Sequence, residues 1–449
     1  MDLKKNQQLE LKIASFGAQG EGVAKYEGMP IFIPYALPGE TIKALIVKVE
    51  KKYAFGKVLE VISASPERNK PSCPIFYQCG GCVCQHMSYA AQLVFKRNQV
   101  ENCMRHIAGL DIEVRPVLGM ANSWHYRNKI SMPVAGTSDT PLIGYYAQRS
   151  HRVIDTDTCL LSMQPNDKVC RVIRQWMIQE KIPPYQEETH SGLVRHIMTR
   201  INRRGQLMLV MVINGKTLKK ADILLDLLRQ QVPEMVSFCV SSNEKRGNVI
   251  LGDSYQALWG QERLEDQLCG NRFFLSPLSF FQINPLQTEK LYNTALDFAD
   301  LRGDETVADL YCGAGTISLM LAKKAAYVVG VEIVPDAIKD AEKNAQINNI
   351  TNVSFICGAT ELVLPKLVGD GMRPDVIVLD PPRKGAEKSV LEAIIACGPR
   401  RVVYVSCNPA TQARDARILA DGGYHPQWCQ PVDMFCQTAG VENVMLFAK

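Results

Sequence analysis

Short apolar stretches near the amino-terminal end of the chain are separated by glycine and proline. They fill residues 9–62, where turn signals recur about every eight to twelve residues. This spacing is typical of a small β-barrel of the OB type, an architecture that often binds nucleic acid, although many such barrels bind only protein. The pattern predicts a β-barrel domain over residues 1–62.

The final third of the chain alternates short apolar stretches with helical patterns. The predicted strands lie at 305–310, 328–333, 353–357, 375–380 and 401–406. The predicted helices lie at 316–324, 335–348, 359–368, 388–397 and 409–420. Alternating strands and helices favour a mostly parallel sheet covered on both faces, which predicts an α/β domain over residues 276–449. Because ligands bind beyond the carboxyl ends of such strands, the residues that follow each strand are site candidates.

The segment between these two parts has mixed strand and helix signals. Residues 86–108 carry apolar residues at helical spacing and are followed by Gly109, which predicts a helix with a glycine cap. We therefore expect a central α+β domain over residues 63–275.

Composition places the chain among ordinary folded proteins. It has 449 residues, of which 46% are hydrophobic and 22% charged, so several domains are expected and intrinsic disorder is not. The start of the chain has no apolar leader, and no stretch approaches eighteen uninterrupted apolar residues, so we expect a cytoplasmic protein with no membrane partner. In that compartment the fifteen cysteines would be core thiols, metal ligands or a nucleophile rather than disulfides.

Charge is unevenly distributed along the chain. The net charge is +5, and Lys and Arg minus Asp and Glu gives +2 for residues 1–62, +7 for 63–275 and −4 for 276–449. A basic front followed by a mildly acidic end favours a polyanion-binding platform attached to a small-molecule catalytic domain. Random charge scatter is the alternative explanation.

Five features lie at the ends of strands predicted in the final third. DLYCGAGTIS, residues 309–318, is a glycine-rich turn of a kind that binds either dinucleotides or S-adenosylmethionine. Glu332 ends the next strand, where a carboxylate can accept hydrogen bonds from ribose hydroxyls. Asp380 stands before two prolines that keep the chain extended and point the carboxylate at the cleft. Cys407 precedes a predicted helix that is capped by Asn408, a position expected to lower its thiol pKa and favour a thiolate. Glu442 begins a later strand and is a possible general base, although taken alone such a residue is more often a surface charge.

A group of cysteines forms a second constellation. Cys73, Cys79 and Cys82 lie in CPIFYQCGGC, where two glycines leave room for the backbone to fold around an ion or a cluster. A fourth ligand must come from elsewhere, and Cys159 is our choice. Tetrahedral zinc is the main alternative, and Cys84 is an additional thiol beside the motif.

Together these motifs resemble the bacterial RNA 5-methyluridine methyltransferases, especially those that act on large-subunit ribosomal RNA. The resemblance covers the whole chain and is carried by the strings GEGVA, LPGE, CPIFYQCGGC, FFQIN, DLYCGAGT, VLDPPRKG, SCNP and VEN. It implies an amino-terminal TRAM barrel, a central domain with a [4Fe-4S] cluster on Cys73, Cys79, Cys82 and Cys159, and a carboxyl-terminal Rossmann-like methyltransferase domain.

The resemblance also implies roles for residues at the carboxyl edge of the sheet. S-adenosylmethionine would contact four of them, namely Gln282, Tyr311, Glu332 and Asp380. Cys407 would be the nucleophile and Glu442 the base. The substrate would be ribosomal RNA, with transfer RNA as the alternative, and we expect a monomer. Taken without the resemblance, Gln282 reads as a loop residue before the helix start at Asn284 and Tyr311 as a core residue.

Several other interpretations of the sequence remain open. Arg127 and Lys129, in WHYRNK, either hold RNA phosphates or belong to a solvated basic strand. One alternative function is methylation of an adenine amino group, which would not need Cys407. Another is that of an NAD-linked dehydrogenase, in which the barrel and the cysteines would have no purpose. A non-catalytic RNA-binding iron–sulfur scaffold is the remaining alternative.

Overall fold

The amino-terminal part is a closed β-barrel. The structure, a computed structural model, describes residues 3–449. Six strands form one sheet in the order β1-β5-β6-β4-β3-β2. They are β1 (Gln8–Lys12), β2 (Ser15–Phe16), β3 (Gly22–Tyr26), β4 (Met29–Ile33), β5 (Thr41–Val49) and β6 (Ala54–Ser63). The Ala14 N–H donates to the Val23 carbonyl oxygen at 2.9 Å, which joins the end of β1 to β3 and closes the barrel around its own apolar core.

The predicted helix near residue 100 is present. Helix α1 spans Tyr89–Cys103, and the Ser88 side chain caps it by accepting from the Ala91 N–H at 3.1 Å. It continues as one π-helical turn, Met104–Ala108, and ends at Gly109, whose φ of +64° lies in the left-handed region that glycine favours.

The central region is built on a seven-stranded mixed sheet in the order β13-β12-β11-β10-β7-β8-β9. Its elements are β7 (Lys129–Gly136), β8 (Pro141–Tyr146), β9 (Val153–Asp155), α2 (Asn166–Gln179), β10 (Val194–Ile201), β11 (Leu207–Ile213), α3 (Ala221–Gln231), β12 (Met235–Ser242) and β13 (Tyr255–Gly260). Helices α2 and α3 pack against this sheet in one apolar core, in which the Trp176 side chain is fully buried. The arrangement is α+β, as predicted for this region.

A hairpin and a helix lead into the carboxyl-terminal sheet. The hairpin consists of β14 (Leu264–Leu268) and β15 (Asn271–Leu275), and α4 (Pro285–Ala299) follows it. Phe273 and Leu275 share an apolar core with the carboxyl-terminal sheet, and Val100 and Met104 pack into a second core on that sheet. The division of the chain at residues 62 and 275 into folding units stays a prediction.

The carboxyl-terminal part is a seven-stranded α/β sheet in the order β18-β17-β16-β19-β20-β22-β21. Its elements are β16 (Thr306–Leu310), α5 (Thr316–Ala322), β17 (Tyr327–Glu332), α6 (Pro335–Ile347), β18 (Val353–Cys357), α7 (Thr360–Gly369), β19 (Val376–Leu379), α8 (Lys388–Cys397), β20 (Arg401–Ser406), α9 (Pro409–Asp421), β21 (His425–Val432) and β22 (Glu442–Ala448). Strands β16 to β20 are parallel, whereas β22 runs antiparallel to both β20 and β21. Within residues 3–449, no helix combines the length and the apolar character needed to cross a membrane.

Candidate active site

A cavity of about 730 Å³ lies at the carboxyl edge of the parallel strands. The structure brings together in its lining all six residues named from the sequence as catalytic or cofactor-binding, namely Gln282, Tyr311, Glu332, Asp380, Cys407 and Glu442. Four of them come directly from strand ends, because the carboxyl ends of parallel strands meet at one edge of the sheet.

The glycine-rich turn after β16 forms the floor of the cavity. Tyr311 has a φ of +65°, a conformation that is rare for a side chain of its size and that is concentrated at functional sites. A Cβ added to Gly313 would contact nothing within 4 Å, so this position is open toward the cavity. A Cβ added to Gly315 would instead lie 3.0 Å from Phe355 Cζ, so the second glycine serves internal packing.

Glu332 is fixed at the end of β17 by two backbone donors. Its Oε2 accepts from the Gly313 N–H at 3.1 Å, and its Oε1 accepts from the Val334 N–H at 2.9 Å. Each carboxylate oxygen can accept a further hydrogen bond. The half-buried carboxylate therefore stands ready for two hydroxyl donors in the cavity.

Asp380 ends the strand segment that precedes Pro381 and Pro382. Burial raises the pKa of its carboxyl to about 7, and the nearby carboxyl of Asp309 adds to the rise. Asp309 is itself buried behind the turn, where the Ser318 hydroxyl donates to it, and burial raises its pKa to about 7 as well. The cavity is thus backed by two acids whose charged forms are disfavoured.

Cys407 lies where the sequence placed it, directly after β20 and before α9. Asn408 caps the helix by accepting from the Ala410 N–H at 3.1 Å. The expectation of a lowered thiol pKa is wrong for the protein without its substrates: burial raises the Cys407 pKa, and the carboxyls of Glu442 and Asp380 raise it further.

Glu442 reaches the same edge because β22 is antiparallel to β20. Asn443 pairs with Ser406 in the register, so the first residue of β22 stands beside the last residues of β20. The Glu442 side chain is only 3% exposed. Burial raises its pKa well above the usual value for a glutamate, and the Asp380 carboxyl acts in the same direction.

Gln282 stands at the opposite wall, just before α4. Asn284 caps that helix by accepting from the Gln287 N–H at 3.3 Å, as the sequence suggested. The Gln282 carbonyl oxygen accepts from Asn128 Nδ2 at 3.1 Å, which ties this wall to the central sheet.

Arg383 and Phe435 also line the cavity but were not singled out from the sequence. The Arg383 guanidinium lowers the pKa of the Cys407 thiol and of the Glu442 carboxyl, so it opposes the acids around it. Its place in VLDPPRKG, three residues after Asp380, is a signal that could have indicated it. Phe435 has no comparable sequence signal, because its place depends on tertiary contacts.

A second group is formed by the cysteines of the loop at residues 73–82 and Cys159. Burial raises the thiol pKa of Cys73, Cys79 and Cys82, and the nearby Cys159 sulfur adds to each rise. The Gly81 N–H donates to Cys79 Sγ at 3.3 Å. Within residues 3–449, no three His, Cys, Asp or Glu side chains are arranged as a group that could hold a metal ion.

Cys84 takes no part in this group. It is fully buried and packs with Leu37, Met87 and Phe95 in a separate apolar cluster. Its pKa is raised to about 12 by burial. Cys84 is therefore a core thiol.

The two basic residues of WHYRNK have different surroundings. The Arg127 guanidinium lies near the Cys82 and Cys159 sulfurs and lines a groove that also contains Cys407. Burial lowers the pKa of Lys129 to about 8, and the charge of Arg200 contributes. Lys129 begins β7 and is half-buried, so it is not a fully solvated strand residue.

Comparison with known proteins gives the same family as the motifs. Residues 88–449 match the model of the tRNA (uracil-5-)-methyltransferase family, and residues 2–59 match the TRAM domain. An uncharacterised RNA methyltransferase of Listeria innocua is 48% identical over 444 residues, which cover 98% of each chain, and one of Halalkalibacterium halodurans is 47% identical over 98% of this chain and 97% of its own.

A solved structure is similar over the full length. It is the Pyrococcus abyssi tRNA (uracil-54, C5)-methyltransferase in complex with S-adenosyl-L-homocysteine, with a TM-score of 0.79 and 26% identity over 98% of this chain and 99% of that one. The family resemblance stated from the motifs is thereby confirmed. This chain, an S-adenosylmethionine-dependent RNA methyltransferase with an amino-terminal TRAM domain, belongs to the tRNA (uracil-5-)-methyltransferase family.

Proposed function

We propose that this protein methylates carbon 5 of a uridine in large-subunit ribosomal RNA through a covalent bond between Cys407 and the uracil ring. The observation that carries the proposal is the position of Cys407 and Glu442 on neighbouring antiparallel strands, facing one cavity. Ribosomal RNA is favoured because the cysteine motif CPIFYQCGGC resembles that of the ribosomal RNA enzymes.

The residues at this edge fit S-adenosylmethionine, which supplies an electrophilic methyl group on sulfur when it is bound. Gly313 leaves open space above the turn, and the Glu332 carboxylate beside it can accept from both hydroxyls of a ribose. Gln282, Tyr311 and Asp380 line the same cavity and would contact the rest of the molecule.

Cys407 overcomes the low reactivity of the uracil ring. Carbon 5 is a poor nucleophile, but addition of the Cys407 thiolate to carbon 6 turns the ring into an enolate whose carbon 5 can accept the methyl group. The target base must leave its stack to bring carbon 5 into line with the methyl donor, so the RNA has to present it unpaired.

Glu442 completes the reaction as the base. It removes the proton from the methylated carbon 5, after which the Cys407 sulfur leaves carbon 6 and the ring regains its conjugation. The raised pKa of Glu442 supports this role, because a weaker acid has a more basic carboxylate.

We further propose that Cys73, Cys79, Cys82 and Cys159 hold a [4Fe-4S] cluster. Their sulfurs influence one another's ionisation and so lie near each other, and the Gly81 N–H donates to the Cys79 sulfur. The motif CPIFYQCGGC, through its resemblance to the cluster-containing family, favours the cluster over zinc. Its role would be structural, because the methyl transfer has no electron-transfer step.

The test uses RNA from cells that lack the gene. Purified protein and S-adenosylmethionine with a labelled methyl group are incubated with this ribosomal and transfer RNA, and 5-methyluridine is mapped by mass spectrometry of RNA fragments. We expect label in large-subunit ribosomal RNA and none with Cys407→Ala. Label with Cys407→Ala would contradict the covalent mechanism.

Transfer RNA is the second candidate substrate. The similar Pyrococcus abyssi structure is that of a tRNA (uracil-54, C5)-methyltransferase, and this observation favours the alternative. Label confined to transfer RNA would assign that substrate instead and overturn the ribosomal assignment.

A further inference from the structure

A second cavity, of about 570 Å³, lies on the central sheet and shares no lining residue with the active site. It is lined by β7, by the hairpin of β8 and β9, by the segment before β10 and by β10 itself. Gly247, Asn248 and Ile250 complete the lining. This volume is within the usual range of small-ligand sites, and the proposed reaction leaves the cavity without a role.

Planar side chains form two of its walls. The rings of Tyr146 and His151 stack with their centroids 5.2 Å apart and an interplanar angle of 23°. The Arg195 guanidinium lies over the Tyr185 ring, 4.3 Å from its centroid. Unpaired RNA bases are commonly bound by stacking on such rings and guanidinium planes.

Arg195 is an unpaired cation inside this cavity. Its side chain is 4% exposed, its Nη1 donates to the carbonyl oxygens of Asn243 and Lys245, and its Nε has no hydrogen-bond partner. Within residues 3–449 it makes no ion pair with a carboxylate. His196 Nδ1, beside it on β10, also has no partner. Because a buried cation without a carboxylate partner is costly, the site calls for a ligand with acceptor atoms.

Carboxylates face the same cavity. Glu187 and Glu188 line its exposed side, and Glu187 Oε2 lies 2.8 Å from His151 Nδ1. They would repel a phosphate, so the ligand needs both acceptor and donor atoms. Guanine has both: O6 and N7 suit an arginine, while N1–H and the N2 amino group suit a carboxylate.

Neighbouring depressions extend from Cys407 toward this cavity. The active site and the groove containing Arg127 share Cys407, Arg383 and Phe435. That groove shares Gln19 and Val83 with a hollow on the barrel, which is also lined by residues 148–149. The next residues of the chain, 150–152, line the second cavity.

We propose that the second cavity binds an unpaired guanine of the substrate RNA, outside the target uridine, between the Tyr146–His151 stack and Arg195. The inference rests on the proposed function, because it takes RNA as the substrate. The depressions that extend from Cys407 toward the cavity favour an RNA nucleotide over a free one.

The test measures methylation of an RNA fragment by the full-length protein. Glu187→Gln is the main variant because its side chain is exposed and the change cannot disturb the core; Arg195→Gln is the second. We expect KM for RNA to rise about tenfold with kcat unchanged. Each substitution removes hydrogen bonds between the guanine and a charged side chain, and these contribute to RNA binding but not to the chemical step. The matched control is Arg171→Gln, an exposed arginine on α2 that pairs with Asp167 outside the cavity.

Inosine identifies the base. It lacks the N2 amino group, so replacing the correct guanine of the fragment by inosine should raise KM for the wild type but not for Glu187→Gln. Unchanged KM in both variants, or no sensitive guanine in a fragment that the wild type methylates, overturns the inference and leaves the proposed function standing. A third outcome would also overturn the inference. If guanosine monophosphate binds the wild type but not Arg195→Gln, and both variants methylate RNA normally, the cavity binds a free nucleotide. A wild type that methylates no RNA overturns the proposed function together with this inference.

Discussion

Lys96 and Asp433 form an ion pair in which neither side chain has any exposed surface. The Lys96 ammonium also donates to the Phe435 carbonyl oxygen at 3.0 Å, and the Tyr89 hydroxyl donates to Asp433 at 2.8 Å. The pair therefore fastens α1 to the segment that carries Phe435, a lining residue of the active site.

Lys96→Met tests the contribution of this pair. The change leaves the Asp433 carboxylate buried without its cation, so we expect the free energy of unfolding to fall by about 3–5 kcal/mol in urea denaturation. Lys245→Met, which removes an exposed pair with Asp253, should change it by less than about 1 kcal/mol. Equal effects of the two substitutions on the free energy of unfolding would show that the buried pair stabilises the protein no more than the exposed pair does.

Glu442→Gln should separate the first half of the reaction from the second. Without the base, the methylated ring cannot lose its proton, so a Cys407–RNA adduct should accumulate and survive denaturation. The wild type should form the same kind of adduct with 5-fluorouridine RNA, because fluorine cannot leave as a proton. Gel electrophoresis of end-labelled RNA detects both, and no adduct in either case would argue against covalent catalysis.

The pH dependence of Cys407 alkylation should respond in opposite directions to its two kinds of neighbour. The thiolate is the reactive form, and a raised pKa moves its appearance to higher pH. Glu442→Gln removes a carboxyl that raises the Cys407 pKa, so the pH midpoint of alkylation should fall. Arg383→Gln removes a guanidinium that lowers this pKa, so the midpoint should rise. Iodoacetamide labelling of the Cys407 peptide, quantified by mass spectrometry, measures both midpoints, and shifts in the same direction would contradict the charge arrangement.

Glu332→Ala should weaken S-adenosylmethionine binding. Loss of hydrogen bonds to a charged acceptor costs about 1.5–3 kcal/mol, which corresponds to roughly a tenfold to hundredfold rise in Kd. Isothermal titration calorimetry measures it, with Glu392→Ala on the exposed face of α8 as the control. An unchanged Kd would remove Glu332 from the binding site.

Anaerobically purified protein should be brown and contain about four irons and four sulfides per chain. Cys79→Ala and Cys159→Ala should lose this iron, whereas Cys84→Ala should keep it because Cys84 packs in a different cluster. Iron, sulfide and zinc analyses of the purified proteins distinguish a cluster from a zinc ion. One stoichiometric zinc in a colourless protein would replace the cluster assignment.

Local patterns were enough to locate most elements of the carboxyl-terminal sheet. The helix at 388–397 and the strand at 353–357 have the predicted bounds, because apolar periodicity and glycine caps are encoded within each segment. The Cys407 pKa was not predictable in this way, since it depends on Asp380 and Glu442, which reach the thiol only through the order of the strands. Arg195 gives no sequence signal either, because its cavity is assembled from separate segments of the central region.

The position of β22 has a consequence for how the protein folds. β22 follows β21 in the chain but lies between β20 and β21 in the sheet, so β21 reaches the parallel strands only through β22. The other edge of β21 bridges to Val114 and Leu118. The parallel strands β16 to β20 can pair first and place Cys407 at their edge, but Glu442 arrives only with the inserted strand. β20 and β22 are separated in the chain by α9 and β21, and contacts between distant segments form more slowly than local helices. The thiol and its carboxylate therefore meet only when β22 has paired with β20.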